Sequence, residues 1–190
     1  LEVINDGEVT ALAGSMALRK KGESGNGVLG IAMGTSEGGG YVDMDGNITT
    51  WLSELAFAPV DLHPEAPADE WSGDLGVGAQ YFSQQAVARL LPASGIEYDA
   101  SLSMPEQLKI VQKLMEEGDE RALRIYDAIG IYLGYTLAHY AEFYEFEYVL
   151  LLGRVTTGPG GEHIIARSKE VMAAEFPELA ARIKFHFPDE

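Results

Sequence analysis

Asn5-Asp6 stands where the sequence opens a helix, and a glycine-laden hairpin over residues 30–46 follows it. An aspartate fixed at a helix start is well placed to act as a general base. A hairpin tip built as Gly34-Thr35-Ser36-Glu37-Gly38-Gly39-Gly40 lets backbone amides approach a phosphate, because glycine leaves no side chain in the way. Together they suggest half of a phosphotransferase site, and the pattern of the other half is not found in this chain. Each feature also has a plainer reading. Asn5-Asp6 can be a helix cap alone, and the glycine run a flexible tip. Glu37 would repel phosphate unless it points away or meets Mg²⁺.

The elements that must position these residues follow from periodicity. A helix is expected over 7–20, capped by Asp6 or Asn5, with Val9, Leu12, Ala13, Met16 and Ala17 on one face. Residues 28–33 read as a buried strand and 40–44 as its antiparallel partner. Asp45-Gly46 signals a tight turn into a third strand over 47–52. Residues 59–78, rich in proline and glycine, read as a long irregular excursion of the kind that is functional or disordered. Helices are expected over 79–91, 104–116 and 120–144, the last with Gly130 and Gly134 one turn apart for close packing. A strand over 148–152, a glycine loop, a helix over 162–175 and a strand over 183–187 form a crossover unit that requires a parallel pair.

A chain of 190 residues, 46% of them hydrophobic, suits one well-packed domain. Its net charge of −17 would repel a phosphate backbone, so nucleic acid is excluded as a partner of this segment, and anionic membranes are disfavoured. There is no cysteine, hence no disulfide or thiol nucleophile. No signal peptide is visible, and the apolar run 125–144 carries Asp127, His139 and Glu142, as a core helix can and a membrane span rarely does. The cytoplasm is the default location. His139 and His186 read as packing or surface residues, His163 as part of a helix start, and His63 as a solvated loop residue. The chain opens on Leu1-Glu2-Val3-Ile4, like the tail of a strand, and closes on another strand. It therefore reads as a domain of a longer protein, cut at both ends.

Four segments, in order, resemble the second domain of the sugar-kinase and actin-like ATPase superfamily, and within it the ROK family (repressors, open reading frames and kinases). Ile4-Asn5-Asp6-Gly7-Glu8-Val9-Thr10-Ala11-Leu12-Ala13-Gly14 resembles the motif whose Asp deprotonates the sugar hydroxyl and whose Asn binds the sugar. Residues 30–40 resemble the second phosphate loop, implying ATP contacts at Gly34 and Thr35. Ser53-Glu54-Leu55-Ala56-Phe57 is similar to the G-E-x-G-H segment, keeping the sugar-binding Glu54 but carrying Phe57 for the His. Residues 73–83 keep the rhythm of the next segment without its cysteines, with Gln80 for an acidic sugar ligand. No structural zinc is therefore expected. Val149-Leu150-Leu151-Leu152-Gly153-Arg154-Val155-Thr156-Thr157-Gly158 resembles the adenosine loop, which implies nucleotide contacts at Gly153 and Gly158; Arg154 and Val155 replace small residues. Alone, it also reads as an ordinary strand–turn–helix.

The resemblance implies a ribonuclease H-like, actin-type α/β domain: a three-stranded antiparallel meander, a parallel crossover and additional helices. It spans 1–190 as the larger, C-terminal domain of a ROK-like sugar kinase, without the N-terminal domain that carries the first phosphate motif. The implied activity is ATP- and Mg²⁺-dependent phosphorylation of a sugar hydroxyl, with Asp6 as base, Asn5, Glu54 and Gln80 as sugar ligands, and no protein-bound metal. The isolated segment would be inactive. A homodimer is implied by the same resemblance. The alternative is a non-catalytic ROK-like protein that senses a sugar or supports oligomerisation, and a third reading is an unrelated acidic scaffold.

Overall fold

The computed structural model describes residues 6–49 and 53–187. The first helix, α1 (Asp6–Lys20), leads to β1 (Val28–Met33) and β2 (Glu37–Val42). One-turn 3-10 helices at Leu55–Phe57 and Gly78–Gln80 bracket the long excursion. Then come α2 (Gln84–Ser94), α3 (Met104–Glu116), α4 (Glu120–Tyr140), β3 (Tyr148–Leu152), α5 (Pro159–Glu175), the short α6 (Pro177–Ala180) and β4 (Lys184–His186).

The strands form one sheet in the order β2-β1-β3-β4. β1 and β2 are antiparallel, while β1–β3 and β3–β4 are parallel, as the crossover pattern requires. Alternation along the strands splits the core in two. Val28, Val42, Tyr148 and Leu150 face α1, whose Ala11 and Leu18 seal that side. Leu29, Ile31, Met33, Tyr41, Val149 and Leu151 face the larger core built by α2 to α5. The result is a three-layer α/β domain with β1 and β3 buried at its centre.

The expected glycine tip is mostly strand. The turn closes within Gly34–Ser36, where the Gly34 N–H bonds the Ser36 carbonyl at 3.0 Å, and Gly38 to Gly40 run on inside β2. Glycine is needed there for thinness. A Cβ on Gly40 would sit 2.0 Å from the Gly7 carbonyl oxygen in α1, and one on Gly39 would sit 2.4 Å from that of Ser53 on the opposite face. The third meander strand is represented, among the described residues, by a bridge between Val42 and Ile48.

Helix ends follow local chemistry. α3 has the expected bounds because Ser103 and Glu106 form a reciprocal capping box. α2 starts later than periodicity suggests, since the Ser83 hydroxyl accepts the Gln85 N–H at 3.0 Å and leaves 78–80 as a separate turn. α4 stops at Tyr140, four residues early, where Tyr144 turns to meet Tyr41 edge-on with ring centroids 5.1 Å apart. Gly130 and Gly134 do bring α4 close to α5: added Cβ atoms would lie 2.8 Å from Arg167 and 2.7 Å from Val171.

Residues 59–78 contain no regular helix or strand but are tied down. Bridges join Pro59 to Val77 and Ala68 to Leu75, and the Gly76 carbonyl accepts from Val60 and Asp61. Among the described residues, no helix is long and apolar enough to cross a membrane.

Candidate functional site

Parallel pairing sets the carboxyl ends of β1 and β3 side by side, with Ala32 opposite Leu152. Such ends, where chains leave a sheet in different directions, are where α/β domains hold ligands. From β1 the chain turns through Gly34, Thr35 and Ser36. From β3 it turns at Gly153 (φ 97°), whose Cα lies so close to Met33 that a Cβ would come within 2.5–2.8 Å of that backbone. The structure therefore gathers Gly34, Thr35, Gly153 and Gly158 at one end of the sheet.

A cleft of about 350 Å³ opens beside Gly153, lined by Leu152, Thr156, Thr157, Gly158 and Glu162. The Thr156 hydroxyl donates to the Gly153 carbonyl at 2.9 Å and sets the turn. Gly158 (φ 70°) caps the 17-residue α5, and nothing lies within 4 Å of where its Cβ would be. With an apolar wall and one carboxylate, this cleft suits a neutral base better than a phosphate. At the other turn the Gly34 N–H is taken by the Ser36 carbonyl and the first N–H of α2, from Gln84, anchors the Gly34 carbonyl at 2.9 Å, which leaves the exposed Thr35-Ser36 tip as the part open to an anion.

Glu37 answers the charge conflict by turning inward. It is 6% exposed, and its carboxyl, lodged against Gly78, has no hydrogen-bond partner among the described residues. Burial pushes that carboxyl well above its ordinary value of 4.5, which favours its neutral form beneath the turn. The phenol of Tyr140 is buried near it, also without a hydrogen-bond partner among the described residues. A carboxyl whose proton is held more tightly in the folded state contributes stability that is complete below pH 4.5 and is lost as pH rises toward the folded value. Glu37→Gln removes that dependence. Its melting temperature relative to the wild type should therefore climb as pH rises above 4.5, as thermal unfolding at several pH values would show.

Asp6 is the first residue of α1, whose opening turn rests on Gly40; Asn5 lies outside the described residues. Glu8, in that turn, is buried, which raises its carboxyl. Glu54 is exposed and begins the turn that Phe57 closes, with the Phe57 N–H bonding the Glu54 carbonyl at 3.0 Å. This turn packs on β2 at Gly39, so α1 and the Glu54 turn flank β2 from its two faces. Gln80 is buried: its amide nitrogen reaches Gln85 Oε1 at 2.5 Å, and its carbonyl accepts from Arg89. Among the described residues no cluster of three His, Asp or Glu side chains could hold a metal ion.

Neither a protein-family model nor a curated protein sequence matches the chain. Solved structures do. A ROK family glucokinase from Streptomyces griseus, in complex with glucose and AMPPNP, superposes with a TM-score of 0.68 at 20% identity, over 97% of this chain and 62% of its own. The ROK hexokinase from Thermus thermophilus gives 0.63 at 20% identity over 93% and 57%. A ROK family transcriptional regulator, a homolog of the E. coli MLC protein, gives 0.72 at 18% identity over 97% and 47%. The chain has the ROK fold. At these identities the likeness is one of fold, and the chain spans about half to three-fifths of the length of these ROK proteins.

The inward turn of Glu37 is one of the two alternatives its sequence position left open. One feature of this ROK domain was not singled out by sequence reasoning: Trp71, which stacks on Phe57 with ring centroids 5.4 Å apart. An exposed tryptophan in an aperiodic segment gives no periodic signal, although its abundance at binding surfaces makes it worth marking.

Proposed function

We propose that this chain is the larger, C-terminal domain of a ROK-family carbohydrate kinase that phosphorylates a sugar hydroxyl with ATP. The observation that carries this reading is the meeting of two glycine turns, Gly34-Thr35 and Gly153 to Gly158, at the adjoining ends of parallel β1 and β3 in a ROK fold. The exposed Thr35-Ser36 tip and the 350 Å³ cleft at Gly158 suit the phosphates and the base of a nucleotide. ATP supplies the transferred phosphoryl group, and Mg²⁺ would enter with its phosphates rather than in a protein cage.

Asp6 takes the proton from the attacking hydroxyl, whose oxygen bonds to the γ-phosphorus as ADP leaves. Asn5 and Glu54 hold other hydroxyls of the sugar. Gln80, turned into the protein, braces the excursion that faces them. The first phosphate motif belongs to a further domain of the full-length protein, so the segment alone is inactive. A cytoplasmic homodimer completes the reading.

The superposition with a ROK transcriptional regulator favours a second reading, a domain that binds a sugar without turning it over. Phosphoryl transfer by the full-length protein, with Mg-ATP and a panel of hexoses and N-acylated amino sugars, separates the two. Sugar-dependent ADP release is expected. Sugar binding without ADP release would establish the second.

A further inference from the structure

Trp71 is 84% exposed, an unusual fate for the largest apolar side chain, and Leu62 in the same excursion is 87% exposed. The indole is nevertheless held in place. The buried Asp69 carboxylate accepts the N–H groups of Ser72 at 2.8 Å and Trp71 at 3.1 Å, and the Ala68–Leu75 bridge closes the turn behind them. Hydrogen bonds from Ser72, Trp71 and the Gln80 amide keep the Asp69 carboxyl below its ordinary range. The turn is thus braced from below by Gln80 and above by the stack of Trp71 on Phe57, whose planes are inclined by 32°.

A turn so tied could end in any polar residue. It ends instead in an indole with one face on Phe57 and much of its surface in water. Phe57 closes the turn that Glu54 opens, so an aromatic surface and an exposed carboxylate share one short segment. That pairing suits a pyranose: its C–H face lies on an electron-rich ring face while its hydroxyls donate to a carboxylate. Phe57 and Gln80, which depart from the ROK motifs, act here in one assembly.

We propose that Trp71, braced by Phe57 and by the Gln80–Asp69 support, is the aromatic wall of the sugar subsite, and that it determines specificity by stacking on the C–H face of a hexopyranose beside Glu54. This rests on the carbohydrate reading but not on turnover, because binding can be followed directly. Trp51→Phe leaves Trp71 as the one tryptophan of this chain, and any tryptophan elsewhere in the full-length protein is replaced by Phe in the same background. Glucose or N-acetylglucosamine should shift its fluorescence saturably in the full-length protein.

Trp71→Ala should raise the KM, or the sugar Kd where there is no turnover, about 10-fold with kcat nearly unchanged, whereas Trp71→Phe should restore most of the affinity. The melting temperature should move little, since the turn keeps its Asp69 hydrogen bonds and only the exposed ring contact with Phe57 is lost. A saturable fluorescence shift without ADP release would uphold the wall and displace the kinase reading. Turnover with an unchanged KM in Trp71→Ala would overturn the wall and leave the kinase standing. No fluorescence shift with any sugar would also overturn it.

Discussion

Asp6→Asn in the full-length protein is expected to lower kcat for phosphoryl transfer by about 10²–10⁴-fold, the usual worth of a positioned general base. The KM for the sugar should stay within a few-fold, because the amide keeps the size and most of the hydrogen bonds of the acid. The substitution discriminates well because asparagine and aspartate are about equally good at a helix start. A residue serving only α1 would lose nothing by the change. The pH profile gives a second readout: wild-type kcat should fall on acidification as the base is protonated, and that limb should vanish in the variant. Unchanged kcat would remove Asp6 from the chemistry and leave it a helix residue.

Gly153→Ala should destabilise the domain by about 3–5 kcal/mol, since two costs add. The residue has φ 97° and ψ 168°, a region almost closed to side chains, and its Cβ would meet the Met33 carbonyl oxygen at 2.5 Å. The ends of β1 and β3 would have to part, opening the cleft along with the fold. At roughly 2–4 °C per kcal/mol for a domain this size, the melting temperature should drop by about 10 °C. Gly158→Ala is the control. Its φ of 70° and ψ of −156° lie in the same glycine-favouring region, but open space surrounds it, so only the backbone cost of about 1–3 kcal/mol is expected. Equal losses in the two variants would mean that the strand ends do not touch as described.

Much of this architecture was legible because local chemistry and tertiary need agreed. A helix is expected over 104–116, and the Ser103–Glu106 capping box starts α3 there. Gly130 and Gly134 mark a close helix contact, and α5 makes it. The crossover pattern of β3, α5 and β4 gave the parallel pair. Legibility failed where one residue type serves two needs. Glycines at 38–40 read as a flexible tip because the local pattern of a thin strand under a helix is the same. The direction of Glu37 depends on residues far away in sequence, at Gly78 and Tyr140. The order of four weak motifs led to the ROK fold, yet the role of Gln80 became visible only with Asp69 and Trp71 around it.

The close contact of α4 with α5 has a consequence for how the chain reaches this structure. Gly130 and Gly134 let the two helices meet nearly backbone to backbone, and β3 lies between them in sequence, so the unit from Glu120 to Glu175 is assembled from near neighbours. Pairing β1 with β3 joins Val28 to Tyr148 and must close nearly two-thirds of the chain in one loop. The helical pair should therefore form early and open last, with α4 amides outlasting those of α1 in hydrogen exchange. The glycine turn after β1, half of the nucleotide end, would then take shape only when the earliest-synthesised part of the domain docks onto the part made last.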